Sequence, residues 1–493
     1  QGLDGLQRAL QSVMAKVPMP EDTGRPRLPI DRAFTLRGHG TIVTGTLVGG
    51  TLTVGEQAVV QPLGLRVRIR SLQTHGRALE RAQPGSRVAA NLVGVEKDEL
   101  KRGDVLVVGD WLVPTTLFDA WLRHSNRARR PLAHAAEVQL FSGTGDVVAR
   151  VRLLEADEVL PGEEQWVQIA SRVPVPLVHG DRFILRALSP SETIGGGAVV
   201  DAHPARRHRR FDAGVTAWLG RLRAADARQQ ALLRLSRSGP VLLSDLARAM
   251  DLQVPQAFSL LKGLRSEGLV EIFGESSGTG SVVVAASESW QSLTERALAV
   301  LSDYHERHPL RTGMPREELR RHLRLRQAPY LAALEHWVSA GRVEVAGDRV
   351  RMAGWSIRVS EGQASQVEEL LSELRAAGTA GLSASDAEAM VGEELLAAAL
   401  SRGDIHRLPD DIILAAEVYE RARRAIESLL GERGRITVAE ARDVLGSNRR
   451  VTLGLLSELD DEGITRRQGD YRVPGRRFSI PAANTAPGSE GRG

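Results

Sequence analysis

The chain has 493 residues, 42% of them hydrophobic and 26% charged, with a net charge of +4 and no cysteine. That length exceeds a single core and suggests about three to five domains; the absence of cysteine excludes disulfides, thiolate zinc sites and cysteine nucleophiles. No run of about 18 apolar residues occurs and the first residues lack the order of a signal peptide, so the chain reads as cytoplasmic with no membrane partner.

The basic residues are almost all arginine: lysine occurs only at Lys16, Lys97, Lys101 and Lys262, against 61 arginines. A GC-rich genome alone produces such a bias, so clustering rather than total carries information about nucleic acid. The lysines also exclude one chemistry. A phosphate-cradling P-loop ends in Gly-Lys-Ser/Thr and guanine specificity uses Asn-Lys-x-Asp. The residues before the four lysines are Ala15, Glu96, Leu100 and Leu261, so neither motif is present.

The chain starts at Gln1 rather than Met, as a fragment or a processed chain would, and GLDGLQRALQSVMAKVP reads as one amphipathic helix. From Leu28 to Val108 the pattern is all-β. Leu65, Val67 and Ile69 alternate with Arg66, Arg68 and Arg70, which buries one face and solvates the other. Turn signals stand at Gly49-Gly50, Gly55, Pro84-Gly85 and Gly103-Asp104, and their regular spacing predicts a closed antiparallel barrel over 25–112. A second β segment follows, with strands around VVARVRLL, WVQIA and RFILRAL, and predicts a barrel over 113–204; its SETIGGGAVVDAHP reads as a glycine-rich turn into a last strand. Gly38-x-Gly40 is a poor dinucleotide signal, because the β-branched TIVTGTL follows where a helix is required.

Near His203 the character changes. The run Arg206, Arg207, His208, Arg209, Arg210 marks a boundary, and a pattern of helix, glycine and two short strands then recurs, with Gly268, Gly341, Gly403 and Gly463 spaced 73, 62 and 60 residues apart. Each long helix is preceded by a short one, as in LSDLARAM and VAEARDVL. This is the plan of a winged helix, whose second helix commonly enters a nucleic-acid groove. Four tandem winged helices are expected, over 205–287, 288–357, 358–417 and 418–477, with a disordered tail over 478–493. The fold class is therefore multidomain: two antiparallel β-barrels followed by four tandem winged helices.

The third unit is acidic and would repel phosphate. The fourth gathers Arg435, Arg442, Arg449, Arg450, Arg466, Arg467 and Arg472, with Ser447-Asn448 capping the helix that starts at Arg449. Guanidiniums, amide donors and a positive helix end in one place suit phosphate oxygens. GESSG, Gly274 to Gly278, has a strand after it rather than a helix, so it reads as a hairpin tip and not a nucleophile elbow. The histidines, such as His124, His134 and His179, lack metal-ligand spacing. No metal site and no catalytic residue is assigned.

LPIDRAFTLRGHGTIVTGTL in the first barrel, DRFILRALSPSETIGGGAVVDAHP ending the second, and ITVAEARDVLGSNRRVTLGLLSELDDEGITRRQGDYRV in the last repeat together resemble the bacterial selenocysteine-specific translation elongation factor. The likeness covers almost the whole chain. It implies that residues 1–24 are the final helix and linker of an absent GTPase domain, which would hold the cofactors, GTP and Mg²⁺, and supply any GTPase activity. It also implies three partners: selenocysteinyl-tRNA on the barrels, a selenoprotein mRNA hairpin on the C-terminal winged helices, and the ribosome paused at UGA.

On this resemblance Asp31, Arg32 and Arg87, with His39 beside them, form the aminoacyl pocket. A selenol is ionised at neutral pH and a serine hydroxyl is not, so a guanidinium-lined pocket prefers the former. The simpler alternative is a salt bridge between Asp31 and Arg32 at the barrel mouth. The same resemblance makes Arg449 and Arg450 contacts to the hairpin, with the arginines around them and Asn448. A rival class remains open: a winged-helix DNA-binding transcription regulator with a β-barrel sensor, which would need a dimer on pseudo-palindromic duplex. Four unlike repeats in one chain point instead to a monomer.

Overall fold

In a computed structural model of the chain, describing residues 2–17, 22–36, 40–274 and 282–479, the alternation at Leu65–Arg70 becomes a strand with Val67 and Ile69 buried and the three arginines exposed. Six strands close the first barrel, in the order Gln57–Gln61, Val105–Val108, Arg27–Leu36, Gly40–Thr46, Arg87–Val93 and Leu65–Thr74, which pairs back to Gln57–Gln61. Leu28, Ile30, Val43, Val60, Ile69, Val88 and Leu106 fill its interior. The turn glycines take left-handed backbone, Gly49 at φ 73° and Gly103 at φ 99°, a conformation that costs other residues energy. Gly38 and His39 lie outside the described residues.

The second barrel closes through Thr115–His124, Glu164–Val175, Gly145–Leu153, Ala136–Ser142, Arg182–Ala187 and Thr193–Asp201. Here the structure corrects the sequence reading: Gly195, Gly196 and Gly197 lie inside the strand Thr193–Asp201 and not in a turn before it. A Cβ on Gly197 would lie 1.9 Å from the Trp121 carbonyl oxygen, and one on Gly195 2.3 Å from that of Arg123. Glycine there is the price of close backbone approach.

Fourteen helices are seen among the described residues. They are α1 (Leu3–Met14), α2 (Ala213–Ala224), α3 (Ala227–Ser238), α4 (Leu243–Ala249), α5 (Val254–Ser266), α6 (Ser287–Arg307), α7 (Arg316–Leu323), α8 (Gln327–Ser339), α9 (Glu361–Ala377), α10 (Ala384–Val391), α11 (Glu393–Arg402), α12 (Ala416–Arg433), α13 (Val438–Leu445) and α14 (Arg449–Asp461). Four three-stranded sheets accompany α2–α14, each made of one short strand and a hairpin, as winged helices require. Gly268, Gly341, Gly403 and Gly463 follow α5, α8, α11 and α14, all with positive φ, so each helix stops at a residue tolerant of the left-handed turn. The apolar side of α1, with Leu3, Leu6, Leu10 and Val13, is exposed.

The chain divides into two compact units, residues 1–293 with 326–333, and residues 294–325 with 334–493. Within the first, Arg27 makes two 2.8 Å bonds to Asp181 and joins barrel to barrel. The basic run after His203 is a strap on the second barrel: His208 Nε2 lies 2.7 Å from Asp119 Oδ2, both buried, and Arg210 donates to the Leu153 and Ala156 carbonyls. Burial pushes the Asp119 carboxyl up, against the pull of His208. Arg234 of α3 meets Asp201 at 3.2 Å, also buried.

The start of α5, the second helix of the first winged-helix pair, is occupied by the first barrel's own leading segment. Gln256 Nε2 donates to the Thr23 carbonyl at 3.1 Å, and Arg25 Nη1 to that of Asp251 at 2.6 Å. That helix end grips protein.

Candidate nucleic-acid interface

Strand Arg27–Leu36 pairs Ile30 with Gly45 and Arg32 with Thr44, which leaves Asp31 as the extra residue of a bulge. A bulge re-aims its side chain. The Asp31 carboxylate accepts the Thr44 hydroxyl at 2.6 Å and an Arg87 Nη2 donor at 2.6 Å. Arg87 opens strand Arg87–Val93, whose Val88, Ala90 and Leu92 point into the barrel, and its side chain is 56% exposed. Asp31 and Arg87, 56 positions apart in sequence, therefore meet on the barrel wall.

One correction follows. The simple Asp31–Arg32 bridge is replaced by Asp31–Arg87, because the bulge and the two-strand crossing bring Arg87 to the carboxylate. The barrel interior is packed with aliphatic side chains, so the cluster stands on the outer wall rather than in a hollow. Arg32 is exposed and makes no hydrogen bond or ion pair among the described residues. His39 lies outside the described residues.

In the last winged helix Asn448 caps α14, its side-chain oxygen accepting from Val451 N at 2.9 Å. Ser447 instead donates to the Thr379 carbonyl. Arg449 and Arg450 are the first two helical residues, where backbone N–H groups lack intrahelical partners and carry partial positive charge. Both are exposed. Arg450 Nη2 donates to the Asp410 carbonyl at 2.7 Å, and its Nε lies 4.0 Å from Asp410 Oδ2.

The remaining arginines separate by environment. Arg466 and Arg467 are exposed on the wing strand Thr465–Gln468. Arg435 stacks its guanidinium 4.7 Å from the centre of the Tyr471 ring, and Arg442 pairs with its neighbour Asp443 at 2.7 Å. Arg472 departs from the sequence reading: its side chain is 8% exposed and is held by Asp460 at 2.8 Å, so it braces the wing and presents no charge to a ligand. Sequence reasoning missed Thr44, Asp460 and Asp410. Only Asp410 carried a signal, as part of an acidic turn, and nothing tied it to Arg450.

One face of α14 is covered. Val451, Thr452, Gly454, Leu455, Leu456 and Leu459 are all buried, which leaves Arg449, Arg450, Leu453, Ser457 and Asp461 exposed, with Glu458 and Asp460 half-buried. Among the described residues no group of three or more His, Asp or Glu side chains is placed to hold a metal ion, and no helix is long and apolar enough to cross a membrane.

Family models match four segments of the chain. The elongation factor Tu domain 2 model matches residues 40–107, the beta-barrel domain of the selenocysteine-specific elongation factor matches 120–206, and two elongation factor SelB winged-helix models match 298–352 and 428–473. The chain is 31% identical over 461 residues to the selenocysteine-specific elongation factor of Desulfomicrobium baculatum, covering 90% of this chain and 71% of that protein. It is 27% identical over 481 residues to the Escherichia coli K12 protein of the same name, covering 94% and 73%. The crystal structure of a bacterial selenocysteine-specific elongation factor, EF-Sec, shares the fold with a TM-score of 0.57 at 18% identity, over 97% of this chain and 74% of that one. The two barrels, the winged helices and these matches establish that the chain belongs to the selenocysteine-specific elongation factor family.

Proposed function

We propose that this chain carries selenocysteinyl-tRNA on its barrels and a selenoprotein mRNA hairpin on its fourth winged helix, for selenocysteine insertion at UGA codons on the ribosome, in the cytoplasm. The observation that carries the reading is the state of α14: capped and arginine-tipped at its start, with one face buried. Such a helix start, with two exposed guanidiniums beside free backbone N–H groups, suits a local RNA feature, in keeping with RNA readout at loops, bulges and ends.

At the first barrel, Arg32 and the exposed edge of Arg87 would meet the ionised selenol, with Asp31 holding Arg87 in place. An anion gains charge-assisted bonds there that a neutral serine hydroxyl does not. GTP and Mg²⁺ do not fit the residues present: no Gly-Lys-Ser/Thr or Asn-Lys-x-Asp occurs. GTP dependence is proposed for a longer parent protein.

The test is binding of an RNA hairpin taken from just downstream of an in-frame UGA of a selenoprotein message, with duplex DNA as competitor. The reading requires that Arg449→Ala with Arg450→Ala weaken hairpin binding and that duplex DNA compete poorly. Unchanged affinity across a salt series would remove the RNA arm.

A further inference from the structure

The fourth winged helix does not present α14 alone. The β-hairpin of the third, Ile405–Leu408 and Ile412–Ala415, lies along it. Three residues of α14 at successive turns meet that hairpin. Arg450 bonds Asp410, a Cβ on Gly454 would lie 3.3 Å from the Pro409 carbonyl oxygen, and Glu458 lies 3.4 Å from His406 Nε2. Spacing of four residues puts all three on one helix face. Leu408 and Ile412 belong to the same apolar cluster as Val451, Leu455 and Leu459, so the hairpin is anchored there by a shared core.

Its tip is acidic and set in an unusual backbone. Asp410 and Asp411 have φ of 66° and 59°, a region that non-glycine residues enter at a cost and that Asp tolerates better than most. Arg407 holds the tip by binding Asp411 through Nε and Nη2. The Asp410 carbonyl supplies the bond to Arg450, and its carboxylate, at 4.0 Å, acts through space. A negative charge is thereby fixed beside the cationic start of α14.

We propose that the wing of the third winged helix is part of the RNA-binding surface of the fourth, with Asp410 as its selectivity residue. This rests on the RNA reading of α14 given above. Asp410 holds Arg450 and offsets part of its charge, so a loosely placed phosphate gains little from Arg450. An RNA that delivers a phosphate in fixed geometry at the helix start replaces the Asp410 carbonyl with charged oxygens and recovers the full contact. The device lowers affinity for arbitrary polyanions more than for a fitted hairpin.

The experiment measures binding of the full chain to two probes, the UGA-proximal hairpin and an oligouridylate of equal length, by fluorescence anisotropy across a potassium chloride series. Asp410→Asn keeps the side-chain shape and the tolerance of positive φ while removing the charge. It is expected to tighten oligouridylate binding at low salt by roughly two- to fivefold, the range of a partly exposed ion pair, with a steeper salt dependence and a smaller change for the hairpin. Arg450→Ala should abolish the effect of Asp410→Asn. An unchanged ratio of the two affinities, or an effect that persists without Arg450, overturns the proposal. If Arg449→Ala weakens the hairpin while Asp410→Asn leaves the ratio intact, the selectivity role alone falls. If neither Arg449→Ala nor Arg450→Ala affects the hairpin, the RNA reading falls with it.

Discussion

Arg25 and Asp251 are joined across 226 residues of chain, Arg25 Nη1 donating to the Asp251 main-chain oxygen at 2.6 Å. Asp251 is buried, sits at φ 54°, and also accepts the His179 backbone N–H at 2.8 Å through its carboxylate. Asp251→Ala is therefore expected to destabilise the first unit by about 2 kcal/mol, through a lost bond to a charged acceptor and a less tolerated backbone conformation. Asp251→Asn should cost less. Denaturant unfolding followed on residues 1–293 within the full chain checks the order of the two.

The two kinds of wing arginine should behave oppositely. Arg472→Ala removes the ion-pair partner of the half-buried Asp460, which keeps the Thr465 hydroxyl, a loss of about 2 kcal/mol; the melting temperature should fall. Arg466→Ala, at an exposed position, should leave the melting temperature unchanged and reduce hairpin affinity and its salt slope. Calorimetry alongside a binding titration separates them, and a stability loss at Arg466 would contradict the assignment.

His305 predicts an acid weakness in the second winged helix. Its ring stacks on Trp355 at 4.1 Å, its Nε2 accepts the Met352 N–H, and burial with nearby Arg351 and Arg358 brings its pKa down from 6.5 to about 4. A base whose folded pKa is depressed binds fewer protons folded than unfolded. Stability is thus fully present above about pH 6.5 and falls as pH drops toward 4, by up to roughly 3 kcal/mol. Unfolding of His305→Phe should lose this pH dependence, with the parent curve measured over the same range as reference.

Arg32→Ala or Arg87→Ala should lower the preference for selenocysteinyl-tRNA over seryl-tRNA. Asp31→Asn should loosen Arg87 and produce a smaller loss. Equal discrimination by Arg32→Ala and the parent would sink the pocket role.

Much of the architecture could be read directly. LRVRIR alternates with period two because one face is packed, and Gly268, Gly341, Gly403 and Gly463 mark helix ends because positive φ favours glycine. The Asn448 cap was legible for the same local reason. What could not be read depends on contacts remote in sequence. Asp31 finds Arg87 only through a bulge and an intervening strand, and Arg450 finds Asp410 only because two repeats share a core. Arg472 looked like its neighbours in composition, yet strand alternation turns it inward onto Asp460. The triple glycine misled because its cause, the Trp121 and Arg123 carbonyls, lies on another strand.

Gly197→Ala tests that last point most severely. With backbone oxygen 1.9 Å from the new atom, the barrel must open or shift, at a cost of more than about 3 kcal/mol. Loss of folded protein on expression is the expected result, and wild-type thermal stability would show that the strands can part.

Arg27–Asp181 links the first barrel to the second, Asp201–Arg234 links the second to the first winged helix, and Arg25–Asp251 returns from that winged helix to the first barrel. Three bodies tied pairwise form a triangle, which resists hinging in a way that three bodies in a row do not. A load arriving at the first winged helix therefore reaches both barrels at once, and loosening any single tie turns the triangle back into a row that can hinge.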